Sequence, residues 1–142
     1  TIAEIRALDA YIKLVPASES VVGRIGQNLR AEDELPLSQF GVLEALWHLG
    51  PLCQRDLGLK ILKSSGNMTM VVDNLEKRAL VDRRKNADDR RVTEVHLTAK
   101  GPALIEDIFP RHAGQITEDL GRLTAAEQKQ LGALCRKLGL AD

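Results

Sequence analysis

Arg83, Arg84, Lys85, Arg90 and Arg91 crowd around Asn86-Ala-Asp-Asp89 in an otherwise neutral chain. From Lys77 to Arg91 there are seven basic and three acidic residues, a local charge of +4, whereas the whole 142-residue chain carries twenty of each sign. Cations at that density suit phosphate oxygens, and an arginine at a hairpin tip can enter a narrow minor groove. Asp89 and Arg91 stand two apart, which on a strand places them on one face. The carboxylate can then hold the guanidinium by paired hydrogen bonds and aim it. A solvated, charged hairpin edge that blocks strand-to-strand aggregation is the plainer alternative.

Upstream, Met68, Val71, Val72, Leu75 and Ala79 recur at i, i+3, i+4, i+7 and i+11, the apolar stripe of a helix over 65–80. Ser65, Thr69, Asp73, Glu76 and Lys77 take the other face, with Asn67 and Asn74 at its flanks and Ser64 as the cap. Small polar side chains at a helix start can exchange hydrogen bonds with base edges, and the free backbone N–H groups there favour phosphate. The groove-facing set is therefore read as Ser64, Ser65, Asn67, Met68, Thr69, Asn74 and Lys77. Arg84, Arg90 and Arg91 join it from the hairpin, with Asp89 as the orienting residue. Taken alone, that helix could equally be an ordinary amphipathic surface helix. A shorter helix over 54–62, with Leu57 and Ile61 inward, precedes it. Strands are expected at Leu80-Val81 and from Val92 to Leu97. Helix, tight turn, helix and basic hairpin make a helix-turn-helix with a wing.

The remaining elements must carry this device. Residues 2–31 predict a long helix with Leu8, Val15, Val22 and Leu29 on a seven-residue repeat, which Pro16 is expected to kink or split. Residues 32–36 form a linker. Ser38 caps a helix through His48, with Phe40, Leu43, Leu46 and Trp47 facing in, and Gly50-Pro51 ends it. Thr98 caps a helix to about Leu120 whose stripe is Leu104, Ile105, Ile108, Phe109 and Ile116, with a bend expected at Pro110. Thr124-Ala-Ala-Glu127 is a capping box, and the last helix carries Leu131, Leu134, Cys135 and Leu138. The first helix and the last two hold more aliphatic surface than the central lobe can cover, the mark of an interface.

Composition narrows the class. Hydrophobic residues make up 44% of the chain but aromatics only 3%, so the core is aliphatic. No run approaches the roughly 18 apolar residues of a membrane span. No signal-peptide pattern is present, and a chain opening on Thr1 is expected to lack its original start. Cys53 and Cys135 are far apart without metal-ligand spacing, which suits a reduced, cytoplasmic protein with no metal and no cofactor. Cys135 falls on an apolar stripe and reads as core, whereas Cys53 has Arg55 nearby to favour a thiolate, a possible redox site. His48, His96 and His112 sit in no nucleophile or metal motif, so catalysis is not expected.

These motifs together resemble the multiple-antibiotic-resistance-regulator (MarR) family of winged helix-turn-helix transcriptional regulators. The resemblance runs from Leu37 to Gly101: Leu37-Ser-Gln-Phe40, Arg55-Asp-Leu-Gly58, Asn74-Leu-Glu-Lys-Arg-Ala-Leu-Val81, Asp88-Asp-Arg-Arg91 and His96-Leu-Thr-Ala-Lys-Gly101. Lys63 to Arg78 is most similar to the branch that represses genes for handling quinones and hydroquinones. The resemblance implies a mainly α-helical single domain over 1–142, with 1–31 and 102–142 as dimerisation helices and 37–101 as the winged-helix lobe. It implies a homodimer on a palindromic operator in double-stranded DNA, acting as a repressor released by a small phenolic or quinone-like effector. In the family, the Asp and Arg matching Asp89 and Arg91 act at the minor groove, and effectors sit where the dimer helices meet the lobe. Here Tyr11, Phe40, Leu43, Trp47, His48 and His112 are the candidate lining, the alternative being that Phe40, Leu43 and Trp47 simply form the core of the lobe. Peroxide sensing by a cysteine near the start of the first helix cannot be carried over, because this chain has none there. A winged helix used only for protein contacts and a cysteine-based redox regulator are the alternatives.

Overall fold

The computed structural model describes residues 1–61 and 65–139, with the backbone alone at Ser65. Their elements run α1 (Ile2–Asp33), α2 (Leu37–Leu49), β1 (Leu52–Cys53), α3 (Gln54–Ile61), α4 (Ser65–Lys77), β2 (Val81–Lys85), β3 (Thr93–Leu97), α5 (Lys100–Leu120) and α6 (Ala125–Gly139). This is the mainly α winged helix-turn-helix expected from the sequence. None of the helices searched among the described residues is long and apolar enough to cross a membrane.

The chain divides into two compact units, Thr1–Ile25 with Arg111–Asp142, and Gly26–Pro110. The second is the winged-helix lobe. Its core gathers Leu35 from the linker, Phe40, Val42, Leu43 and Leu46 from α2, and Leu57 from α3. Met68, Val72 and Leu75 of α4, Val95 of β3, and Ile105 and Ile108 of α5 complete it. Trp47, expected inward, is 37% exposed instead. It follows Leu46 by 100° around α2 and so leaves the face that Phe40, Leu43 and Leu46 share.

A three-stranded antiparallel sheet, ordered β1-β3-β2, closes the lobe. Its third strand, β1, was not foreseen. Two residues are too few to show alternation, and Leu52 and Cys53 become a strand only by pairing with Val95 and Glu94. After β3, the N–H of Thr98 donates to the Leu80 carbonyl, and Gly101, in the first turn of α5, lies against Leu97 of the sheet. A Cβ at Gly101 would lie 2.8 Å from Leu97 Cδ2 and 3.3 Å from the Leu80 carbonyl oxygen, so a larger residue here would push the Leu97 side chain aside.

In the other unit, the Arg24 guanidinium grips the Asp119 carboxylate, Nε to Oδ1 at 2.6 Å and Nη2 to Oδ2 at 3.0 Å, tying α1 to α5. Pro16 does not split α1, which stays helical across it, and α5 likewise continues through Pro110. A proline removes its own backbone donor and its ring crowds the carbonyl four residues back, but the hydrogen bonds of the neighbouring turns keep each helix continuous. The capping box forms as expected: the Thr124 N–H donates to Glu127 Oε1 at 2.9 Å, and the Glu127 N–H to Thr124 Oγ1 at 3.2 Å. Those two bonds hold the Glu127 carboxyl below its ordinary range. Cys135, read as core, is exposed on α6, which has no buried residue in the single chain.

Candidate nucleic-acid interface

Helix α4 turns Met68, Val71, Val72 and Leu75 into the lobe and Asn67, Thr69, Met70, Asp73 and Lys77 outward, with Asn74 half-buried between. Met68 cannot read DNA bases. It has no exposed surface, whereas Met70, two residues on, is 65% exposed. Two helical steps rotate a side chain by about 200°, so one methionine fills the core and the other stands on the outer face. The placement of Met68 at i−7 from Leu75 already held this information. The Ser64 cap lies outside the described residues, and Ser65 begins the helix.

Ala79 also leaves the stripe. The helix stops at Lys77, and Ala79 adopts a left-handed φ of 59°. Its N–H donates to the Glu76 carbonyl, and that of Leu80 to the Leu75 carbonyl, the paired bonds of a Schellman closure. Leu80 packs in the core with Leu75, so the chain turns directly from α4 into the wing.

The wing pairs Val81↔Leu97 through Lys85↔Thr93. Its turn is built on Asn86, whose Oδ1 accepts the N–H groups of Asp88 at 2.8 Å and Asp89 at 2.9 Å. Arg90 and Arg91, expected to open the second strand, lie in this turn, because β3 begins at Thr93. The Asp89–Arg91 pair forms nonetheless. Arg91 Nε donates to Oδ1 at 3.0 Å and Nη2 to Oδ2 at 3.1 Å, and the Arg91 N–H also donates to Oδ1 at 3.1 Å. The guanidinium, then the backbone bond, hold the Asp89 carboxyl below its ordinary range. Arg91 itself projects with 91% of its side chain exposed. Arg84 is held by Asp82, with bonds of 2.7 and 3.2 Å. Lys77, Lys85 and Arg90 make no ion pair among the described residues.

Arg83 was counted with the basic tip but turns the other way. Opposite the buried Val95, it lies on the inner face of β2. Its Nε donates to Gln54 Oε1 at 2.9 Å, Nη1 pairs with Glu76, and Nη2 meets Asp73 Oδ1 at 2.8 Å and the Thr69 carbonyl at 3.4 Å. Gln54 Nε2 in turn donates to Thr69 Oγ1 at 3.0 Å. Thr69, expected to face bases freely, is thus also part of a junction of α3, α4 and β2.

The candidate effector residues do not all share one setting. Phe40 and Leu43 are fully buried among the core side chains of the lobe. Trp47 and His48 are exposed neighbours with ring centroids 5.3 Å apart. In the other unit, His112 is buried, while Tyr11 is exposed and lines an apolar groove of about 850 Å³ with Ile5, Leu8, Leu14 and Leu138. Cys53 is half-buried on β1. No cluster of His, Cys, Asp and Glu suited to a metal occurs among the described residues.

Residues 35–93 match the family model described as the MarR family. The chain is 36% identical over 135 residues to the HTH-type transcriptional regulator MhqR of Bacillus subtilis, covering 95% of this chain and 92% of that protein. Among solved structures, it superposes on Bordetella bronchiseptica BpsR with a TM-score of 0.81 and 32% identity, covering 91% of each chain. That structure concerns the regulation of BpsR DNA binding by 6-hydroxynicotinic acid. The MarR family regulator Sco3205 of Streptomyces coelicolor, solved in complex with DNA, gives a TM-score of 0.83 over 98% of this chain and 87% of its own. At 23% identity that likeness speaks for the fold alone.

Proposed function

The chain belongs to the MarR family of DNA-binding transcriptional regulators, and from that premise we propose that it is a cytoplasmic homodimeric repressor of a palindromic operator, released by a small hydroxylated aromatic effector. The observation that carries this reading is the outer face of α4, with Asn67, Met70 and Lys77, beside a wing whose Arg91 is aimed by Asp89. A reading helix suits the major groove and an extended arginine suits the neighbouring minor groove. Asn67, Thr69, Asn74 and Met70 are the base-reading set. Lys77, Lys85, Arg90 and Arg91 supply phosphate and minor-groove contacts, with Arg84 contributing from its pair with Asp82.

The dimer is supported by the aliphatic residues that the terminal unit leaves uncovered. Ile5, Leu8 and Ile12 on α1 and Leu134 and Leu138 on α6 are all exposed. A second copy is the occupant that a two-fold operator requires, since it sets two reading helices about one DNA turn apart. The effector class is supported by the relative whose DNA binding 6-hydroxynicotinic acid regulates. Within the lobe, the exposed neighbours Trp47 and His48 offer a ring and a hydrogen-bonding group for such a molecule, and in the other unit Tyr11 offers both at its apolar groove.

Binding to duplexes selected from a random pool tests the reading. Affinity for the selected site is expected to fall steeply with salt, and Arg91→Ala to reduce the log–log slope by about one while leaving the preferred major-groove bases unchanged. Salt-independent association would sink the proposed interface. For the effector, 6-hydroxynicotinic acid, phenols and quinones are titrated into the complex while Trp47 fluorescence is followed. Release that survives the Cys53→Ser, Cys135→Ser double substitution supports a pocket, and release lost in it assigns sensing to a thiol.

A further inference from the structure

We propose that Arg83 is a positioning residue for DNA binding: it offsets the two carboxylates that α4 turns outward and fixes the spacing between reading helix and wing. The inference rests on α4 and the wing being the DNA-facing surface. The exposed face of α4 carries Asp73 and Glu76 against the single cation Lys77. Left alone, that face would approach phosphate with a net negative charge, which is repulsive. Arg83 pairs with both carboxylates at once.

Its remaining bonds explain why an arginine stands there. The Gln54 amide oxygen and the Thr69 carbonyl take further guanidinium hydrogens, so one planar group spans the start of α3, the middle of α4 and β2. An ammonium has three donors around a point and cannot hold this spread of acceptors. Strand alternation chooses the residue. Val81 and Val95 are buried on the same sheet face as Arg83, whereas Arg84, opposite Glu94, points away. Of the three consecutive basic residues Arg83, Arg84 and Lys85, the first two therefore do opposite jobs. Arg83 braces the reader from within, and Arg84 pairs locally with Asp82. A helix in one groove and an arginine in the next gain their full contacts only while their separation is held.

Three variants test this on the selected operator and on a non-specific duplex: Arg83→Gln, Arg83→Lys, and Arg83→Gln combined with Asp73→Asn and Glu76→Gln. Arg83→Gln is expected to weaken operator binding about tenfold or more. The triple variant is expected to recover its non-specific affinity to within about threefold of the parent, because the repulsion is gone, yet to keep a reduced operator preference. Arg83→Lys is expected to keep non-specific affinity and lose about fivefold in preference. Circular dichroism and thermal melting accompany each measurement. Should Arg83→Gln fail to fold at the assay temperature, the Lys variant and the triple variant carry the comparison. A triple variant no tighter than Arg83→Gln, with a salt slope reduced by about one, would make Arg83 a direct phosphate contact and overturn the proposal. So would an Arg83→Lys protein with undiminished preference. Failure of the underlying interface reads differently: Arg91→Ala and Met70→Ala would then both bind like the parent.

Discussion

Leu43 and Leu134 are the same side chain on the same kind of element, yet one is wholly buried and the other 57% exposed. Leu43 sits in Gly26–Pro110, where a sheet and helices surround a common core running from Leu29 to Ile108. Leu134 sits on α6, in the unit made from the two ends of the chain, where no residue of α6 is buried. The first region buries its main apolar cluster with its own residues. The second has helices with a coherent apolar face, set by spacing, and leaves that face open. Under the proposed dimer a second copy covers that face, so the lobe is expected to report on folding and the terminal helices on association.

The sharpest way to break this contrast is to truncate both leucines. Leu43→Ala is expected to cost about 2–5 kcal/mol in denaturant unfolding, at any protein concentration. Leu134→Ala is expected to change the stability of the monomer by less than about 0.5 kcal/mol but to weaken the dimer. Its melting temperature then falls most in dilute solution, and sedimentation shows more monomer. Equal, concentration-independent losses at the two sites would remove the distinction.

A smaller effect separates the two methionines of α4. Met70→Ala is expected to lose about 0.8 kcal/mol on an operator, roughly fourfold, if the exposed side chain packs on a thymine methyl group. Replacing the contacted thymine by uracil should then cost the parent a similar factor and the variant nothing further. Undiminished discrimination in the variant would remove Met70 from the reading set. Met68→Ala, in contrast, is expected to destabilise the lobe.

Acid stability sharpens the picture of the terminal unit. The Arg24 guanidinium, with a smaller contribution from Arg122, holds the Asp119 carboxyl below its ordinary range. A carboxyl depressed in the folded state stabilises fully above its unfolded pKa, near about 3.9, and the contribution fades as pH falls through the lower folded value. Thermal melts of Asp119→Asn are therefore expected to lie below the parent at neutral pH and to converge on it in acid. Parallel curves across the range would count against the pair. A small effect of opposite sign belongs to the turn into the wing: Ala79→Gly relieves a left-handed φ of 59° and is expected to stabilise by about 0.5–1 kcal/mol, read in denaturant.

Much of this molecule was legible locally. The stripe of Met68, Val71, Val72 and Leu75 set the inner face of α4, and Thr124 and Glu127 announced their capping box. Asp89 and Arg91, two residues apart, declared their pair. The stripe and the capping box depend on residues within a few positions of one another, so helix geometry alone determines them, whereas Asp89 and Arg91 meet in the wing turn and not on the strand that alternation assumed. Pro16 and Pro110 show the limit of a local rule, since proline's cost to a helix is real but does not by itself decide whether the helix ends. What only the tertiary structure decided are contacts between distant positions. Leu52 and Cys53 are a strand because Val95 and Glu94 lie beside them. Arg83 is withdrawn from the basic tip because Gln54, Thr69, Asp73 and Glu76, carried by α3 and α4, converge on it. No periodicity contains that convergence. It exists only after the packing of the core has fixed where each helix and strand lies.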